Sequence, residues 1–176
     1  MSFVTRPMLR GPLFQVVWVV EDIQVSERWF TDTFGVPAWS RWNEVHFAPE
    51  NASFRGRPAD FVIDVSIGYA GRQQIELVTP VRGESPFAER LRDIGPGLHH
   101  VAFEVQDLQA SVLEAVGRGM EVLLRGSFEA GVEFVYLQSP EGDAGIIELT
   151  LLEPAMARYF ERLAETSSTM VTHQLP

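Results

Sequence analysis

Residues 96–108, PGLHHVAFEVQDL, hold the pattern on which the fold turns. After the histidine pair, Val101, Phe103 and Val105 fall on one face of a strand, and His100, Ala102 and Glu104 on the other. The apolar set is the natural face to cover with helices, with His99 on that packing side and His100 on the open side. The run ends at Asp107, a good helix cap, and LQASVLEAVGRG follows with helical spacing. A strand that passes through an Asp into a helix is therefore the local unit.

The same unit occurs upstream. FQVVWVV, from Phe14, reads as a buried strand, Asp22 as a cap, and IQVSERWFTDTF as a helix stopped by Gly35-Val36-Pro37. Gln15 precedes Asp22 by seven residues, and His100 precedes Asp107 by seven. Both halves end on matching tripeptides, Ile75-Glu76-Leu77 and Ile147-Glu148-Leu149. The first strands are offset by 85 residues and the last strands by 72, so the first half carries thirteen more. Residues 38–58, with Trp39, Trp42 and His46 at no clear period, are expected to be irregular and to hold that excess.

ADFVIDVSIGY and QQIELVTPV complete the first half as strands. SPFAERLRDIG is a linking helix capped by Ser85, with Pro86 in its first turn. MEVLLRG, VEFVYLQ and IIELTLLE give the second half three strands. The expectation is an α+β chain built as an internal repeat. An arm (residues 1–12) precedes a first βαβββ module (13–82). A linking helix (83–97) leads to the second module (98–153), and a C-terminal helix and tail follow (154–176). In that last segment AMARYFERLAE reads as helix and TSSTMVTHQLP as a frayed end.

Composition narrows the chemistry. The 176 residues suffice for one core, and their net charge of −10 argues against a nucleic-acid partner. No run is long and apolar enough for a membrane span, and MSFVTRPMLRGPLF lacks a secretory h-region, so the expected location is the cytoplasm. There is no cysteine, and all fourteen basic residues are arginine, which excludes thiol nucleophiles and Schiff-base lysines. Carboxylate, imidazole, hydroxyl and metal chemistry remain.

Four polar residues interrupt apolar strands at repeat-related places: Gln15, Glu76, His100 and Glu148. Taken singly, such a Glu is usually an edge residue and such a His a satisfied core residue. If the two modules set their open faces together, however, the four converge. One imidazole, two carboxylates and an amide oxygen suit a divalent ion such as Zn, Co, Ni or Mn, with positions left open.

At these residues the chain resembles the vicinal oxygen chelate superfamily, which includes glyoxalase I, methylmalonyl-CoA epimerase, extradiol dioxygenases and bleomycin-resistance proteins. The likeness spans roughly residues 13–152. It is best in IELVTPVRGESPFAERLRDIGPGLHHVAFEV (residues 75–105), which looks like the middle of an epimerase, as does the ending AGIIELT. It implies paired modules forming a U-shaped, cupped mixed sheet around one metal, with ligand places at Gln15, Glu76, His100 and Glu148. Epimerases usually carry His and Gln where this chain has Gln15 and Glu76, a set closer to some glyoxalase I enzymes.

The implied activity is isomerisation or epimerisation of a small acyl-CoA or 2-oxo compound through a metal-stabilised enolate. A glyoxalase-like lyase and a non-enzymatic small-molecule binder are the alternatives. Glu148 is the expected proton carrier, with Glu76 as ligand and second acid/base. Trp42, Glu44, His46, Asp64 and Glu104 are further pocket candidates. For Asp64 a solvent-facing place in its strand is the competing reading. Arg82, Arg90 and Arg92 are either a seat for an anionic tail or a solvated face paired with Glu84, Glu89 and Asp93. A homodimer is expected, His99 is expected to support the back face, and His173 is given no role.

Overall fold

A computed structural model describes residues 8–9, 11–128, 130–139 and 145–174, with side chains as far as Met170. Most of the arm expected over residues 1–12 lies outside these described residues, as does the side chain of His173.

The first half runs β1 (Gln15–Val19), α1 (Ile23–Phe34), β2 (Trp39–Phe47), β3 (Ala52–Phe54), β4 (Arg57–Pro58), β5 (Phe61–Ala70) and β6 (Gln73–Arg82). The connecting helix α2 (Pro86–Asp93) leads into β7 (Gly97–Glu104), α3 (Leu108–Gly117), β8 (Glu121–Phe128), β9 (Val132–Gln138) and β10 (Ile146–Leu152). The long helix α4 (Pro154–Gln174) closes the chain.

The helix starts follow from their caps. Asp22, Ser85 and Asp107 each turn a side-chain oxygen to the backbone N–H three residues on, at 2.9, 3.1 and 2.9 Å. Gly35 ends α1 in the left-handed region, φ 70°, which a residue without Cβ adopts freely.

Among the described residues the strands form one mixed sheet in the order β2-β5-β6-β1-β7-β10-β9-β8-β3-β4. Each half repeats one plan: its first strand lies parallel to its last, and the two middle strands follow outward in antiparallel pairing. The halves join where β1 and β7 run antiparallel.

Residues 38–58 depart from the irregular segment expected. They form β2, then β3 and β4, and β3 pairs with β8 of the other half. This excursion bridges the two arms of the sheet and curls it round a central cup. Its period was hidden by a bulge: the register of β2 against β5 shifts between Trp42 and Val45, and Glu44 sits there at φ 54°. The extra residues bring Trp42, Val45 and Phe47 all onto the inner wall.

Three apolar clusters result. The cup interior gathers Val17, Val19, Ile63, Val65, Ile67, Phe134 and Tyr136, with Met156 and Phe160 of α4. Outside the sheet, α1 packs through Phe30 on Val20, Ile75 and Leu77, while α3 packs through Leu108 and Val112 on Val135, Leu137 and Leu149. The strand alternation expected from the sequence thus puts Gln15, Glu76, His100 and Glu148 on the inner face.

The frayed tail expected after Glu165 is helical instead. Thr166, Ser168 and Thr169 turn their hydroxyls back to carbonyls four residues earlier, at 2.8, 3.0 and 3.0 Å. These bonds satisfy the hydroxyls within the helix without interrupting it. No helix among the described residues is long and apolar enough to cross a membrane.

Candidate active site

Gln15 opens β1 facing inward and is buried. Its amide nitrogen donates to Gln74 Oε1 at 2.6 Å and to Glu76 Oε2 at 2.5 Å. Gln74 in turn donates to the Tyr69 hydroxyl at 2.7 Å, and Tyr69 donates to the Phe160 carbonyl at 3.1 Å. This chain fixes which way the Gln15 amide is turned and leaves its Oε1 with no donor among the described residues.

From the other half, His100 Nε2 meets Glu148 Oε2 at 2.7 Å. Thr150, two residues on and on the same face, donates to Glu148 Oε1 at 2.6 Å. Both oxygens of Glu148 are thereby held, and the residue is buried.

Three of the four sequence candidates, Gln15, Glu76 and Glu148, therefore line one cavity within a single chain, and His100 stands behind Glu148, completing two hydrogen-bonded pairs, Gln15–Glu76 and His100–Glu148. No three of the described His, Asp or Glu side chains are gathered as tightly as a ready-made metal cage. The donor set nevertheless fits a divalent cation. Glu76 is half-buried and faces the cavity; desolvation, then the charge of Glu148, pushes its carboxyl up to about 8 against the Gln15 hydrogen bond. Two carboxylates set toward one another in an apolar cavity are what a cation between them would relieve.

Two residues of the site escaped the sequence reading. Tyr136 stands directly across the β9–β10 ladder from Glu148, and its ring centroid lies 4.4 Å from that of His100. Burial, then the charges of Glu148 and Glu76, push its phenol well above the usual range, so it is a neutral O–H group. The signal was its inward parity with Phe134 in VEFVYLQ, which read only as core.

His99 is the other, and here the expectation of a back-face residue is corrected. Val17 of β1 pairs with His100, but Trp18 pairs with Leu98, so His99 is the extra residue of a bulge. The bulge breaks the alternation, and His99 swings in beside His100, with their Nδ1 atoms 2.7 Å apart. Its ring stacks on Phe87 of α2 at 4.9 Å, and its Nε2 is buried with no well-formed hydrogen bond, the Pro86 carbonyl being the polar group nearby. Burial, then His100, drop its pKa to about 3, so His99 is neutral.

Trp42 lines the cavity as expected, but the other pocket candidates lie elsewhere. Asp64 shares the outer face of β5 with Ser66 and accepts from the Glu44 backbone N–H at 2.7 Å. Glu44 is exposed at the β2 bulge, and His46 points outward to Asp60 at 2.8 Å. Glu104 is exposed at the end of β7, beside a separate depression near residues 9–12. Parity decides the case of Asp64: Ile63, Val65 and Ile67 are the inward residues of β5, so their even-numbered neighbours cannot be.

Arg82 and Arg92 take the solvated reading, whereas Arg90 is half-buried, its Nε donating to the Leu98 carbonyl at 3.4 Å and its Nη1 buried with no partner among the described residues. Arg82 pairs with Asp60, and Arg92 with Glu84 and Asp93, while Glu89 receives Arg55.

The family profile described as the Glyoxalase/Bleomycin resistance protein/Dioxygenase superfamily matches residues 14–136. The chain belongs to this superfamily. Solved structures share its fold at low identity. Methylmalonyl-CoA epimerase from Mycobacterium tuberculosis is 22% identical with a TM-score of 0.60, covering 89% of this chain and 97% of its own. A Streptomyces coelicolor methylmalonyl-CoA epimerase variant, in complex with 2-nitronate-propionyl-CoA, is 18% identical with a TM-score of 0.56, covering 81% and 97%. A 4-hydroxymandelate synthase mutant from Streptomyces coelicolor is 19% identical with a TM-score of 0.54, covering 87% of this chain and 56% of its own. No curated protein sequence matches this chain. The two enzyme types catalyse different reactions on one fold, so the reaction has to be argued from the site.

Proposed function

We propose that this superfamily member is a metal-dependent isomerase or epimerase, moving a proton at a carbon beside a carbonyl in a small 2-oxo compound or acyl thioester. The observation that carries the reading is the confrontation of two inward carboxylates in one apolar cavity, Glu76 hydrogen-bonded to Gln15 and Glu148 to His100. Gln15 Oε1, Glu76, His100 Nε2 and Glu148 would hold a divalent ion. When bound, such an ion supplies a Lewis acid for the negative charge that develops on the substrate oxygen.

The protein's own groups then divide the work. Glu148 takes the proton and returns it, steered by the Thr150 hydroxyl. Tyr136 offers a neutral O–H donor on the same wall, and the apolar lining keeps bulk water from competing for the carbanion. Among the described residues no third carboxylate lines the cavity. One Glu therefore has to serve both proton steps. That economy also suits the glyoxalase-like alternative, proton transfer in a thiol adduct of a 2-oxoaldehyde.

The test is solvent deuterium uptake, followed by proton NMR, into a panel of 2-oxo compounds, thiol adducts and methylmalonyl-CoA. Protein loaded with Zn, Co, Ni or Mn should exchange the α-proton of at least one compound, and stripping the metal should stop it. Exchange that survives metal removal would contradict the mechanism. No exchange into any compound by a metal-loaded protein that still binds them would leave a binding protein.

A further inference from the structure

The walls of the cavity say what it can hold. Eight aromatic side chains line it, among them Phe47, Phe87, Phe134 and Phe160, together with aliphatic residues of β5. No arginine lines it among the described residues, and the chain contains no lysine. Among the described residues its only carboxyl groups are Glu76 and Glu148, whose two negative charges, once both are ionised, a divalent ion would just balance. A further carboxylate or phosphate on the substrate body would enter with no cation to meet it, and burying an unpaired charge is strongly unfavourable.

Size points the same way. The cavity is a small cleft of about 90 Å³ that is partly open to solvent, so it takes only a compact body. Trp42 of β2 packs on Phe128 of the β8–β9 hairpin and on Tyr159 and Phe160 of α4, with centroids 5.8–6.4 Å apart. Ser40 and Tyr159 are joined at 2.6 Å, tying α4 to β2. That wall is aromatic and offers no partner for the amides of a pantetheine arm.

Resting on the metal-dependent reading above, we propose that the substrate is a compact chelate with an uncharged apolar body, one aromatic ring or a short branched chain. Its adjacent oxygens meet the Gln15–Glu76–His100–Glu148 end, and carboxylate-bearing bodies and CoA thioesters are excluded.

The experiment holds the chelating head constant and varies the body. Full-length protein is loaded with Co²⁺, its metal content is measured, and four hydroxamic acids are titrated by calorimetry and cobalt absorption. They are acetohydroxamic, benzohydroxamic, 4-nitrobenzohydroxamic and 4-carboxybenzohydroxamic acid, with methylmalonyl-CoA as a fifth probe. Benzohydroxamic acid should bind about tenfold or more tighter than acetohydroxamic acid, because its ring leaves water. The carboxy compound should bind about a hundredfold more weakly than its neutral nitro isostere, because only charge separates them. Methylmalonyl-CoA should not saturate. Equal affinity for the carboxy and nitro compounds, or methylmalonyl-CoA bound as tightly as benzohydroxamic acid, would overturn the inference while leaving the metal reading intact. A protein that takes up no Co²⁺ would overturn both.

Discussion

Glu76 is the residue on which metal uptake should turn. Its carboxyl is raised from the ordinary 4.5 to about 8, first by burial and then by Glu148, so near neutral pH the metal-free protein holds a proton there. A cation has to displace that proton. Apparent affinity should therefore climb as pH rises from 6 toward 8, by up to about tenfold per unit, and flatten above. Isothermal titration in buffers of differing ionisation heat should show roughly one proton released per ion at pH 7. Glu76→Gln should remove the slope, and an affinity independent of pH in the wild type would refute this role.

The paired histidines permit a second prediction at the same scale. With the Nδ1 atoms 2.7 Å apart, one proton lies between the rings. If His100 Nε2 gives its lone pair to a metal, its Nδ1 must carry that proton and His99 Nδ1 must accept it, moving the His99 proton to Nε2 near Pro86. Nitrogen-15 NMR of histidine-labelled protein should show both tautomers inverting on Zn²⁺ addition. His99→Phe keeps the stack on Phe87 but loses the acceptor, and should weaken metal binding by about 10–100-fold. Unchanged tautomers together with unchanged affinity would reduce His99 to a packing residue.

At the scale of elements, β2 and β7 show where the sequence could be read and where it could not. Alternation in β1, β6, β7 and β10 gave the correct inward face for Gln15, Glu76, His100 and Glu148, because a strand's side-chain period is strictly two. The bulges at His99 and at Glu44 defeated the same rule, since a bulge depends on what the partner strand does, and partners are not local in sequence. Glu44 pays for its place with a left-handed backbone, φ 54°. Because it is outside the cavity, Glu44→Gly should stabilise the fold by up to about 1 kcal/mol, read from urea unfolding, and leave proton exchange unchanged. Loss of exchange would restore Glu44 as a catalytic group.

The C-terminal helix was legible only in its apolar first half. Its role in closing the cup rests on Met156 and Phe160, which reach the core cluster. Phe160→Ala should cost about 3 kcal/mol in urea unfolding and enlarge the cavity. An effect below about 0.5 kcal/mol would mean that α4 packs only loosely on the cup.

For the molecule as a whole, the repeat carried most of the architecture, and the insertion that bridges β2 to β8 was the part it concealed. Thirteen unmatched residues could have formed any loop; that they cross to the other half follows from pairing with β8, which no local pattern announces. The proton on Glu76 also has a global consequence. The folded state binds it more tightly than the unfolded chain does, so the stability it confers is fully present below about 4.5 and is lost as pH rises through about 8. Thermal unfolding of the metal-free protein should show a Tm that declines across that window from this group, and Glu76→Gln should flatten the decline. Bound metal should reverse it, because the ion binds only the folded state.

The most direct test is metal content. Wild-type protein, exposed singly to Zn²⁺, Co²⁺, Ni²⁺ and Mn²⁺ and then dialysed, should retain about one ion per chain for at least one of these metals, as expected of a single site built from four ligands. His100→Ala and Glu148→Ala, handled alongside and checked for folding, should retain almost none. A wild type that comes through all four metals empty would contradict the account.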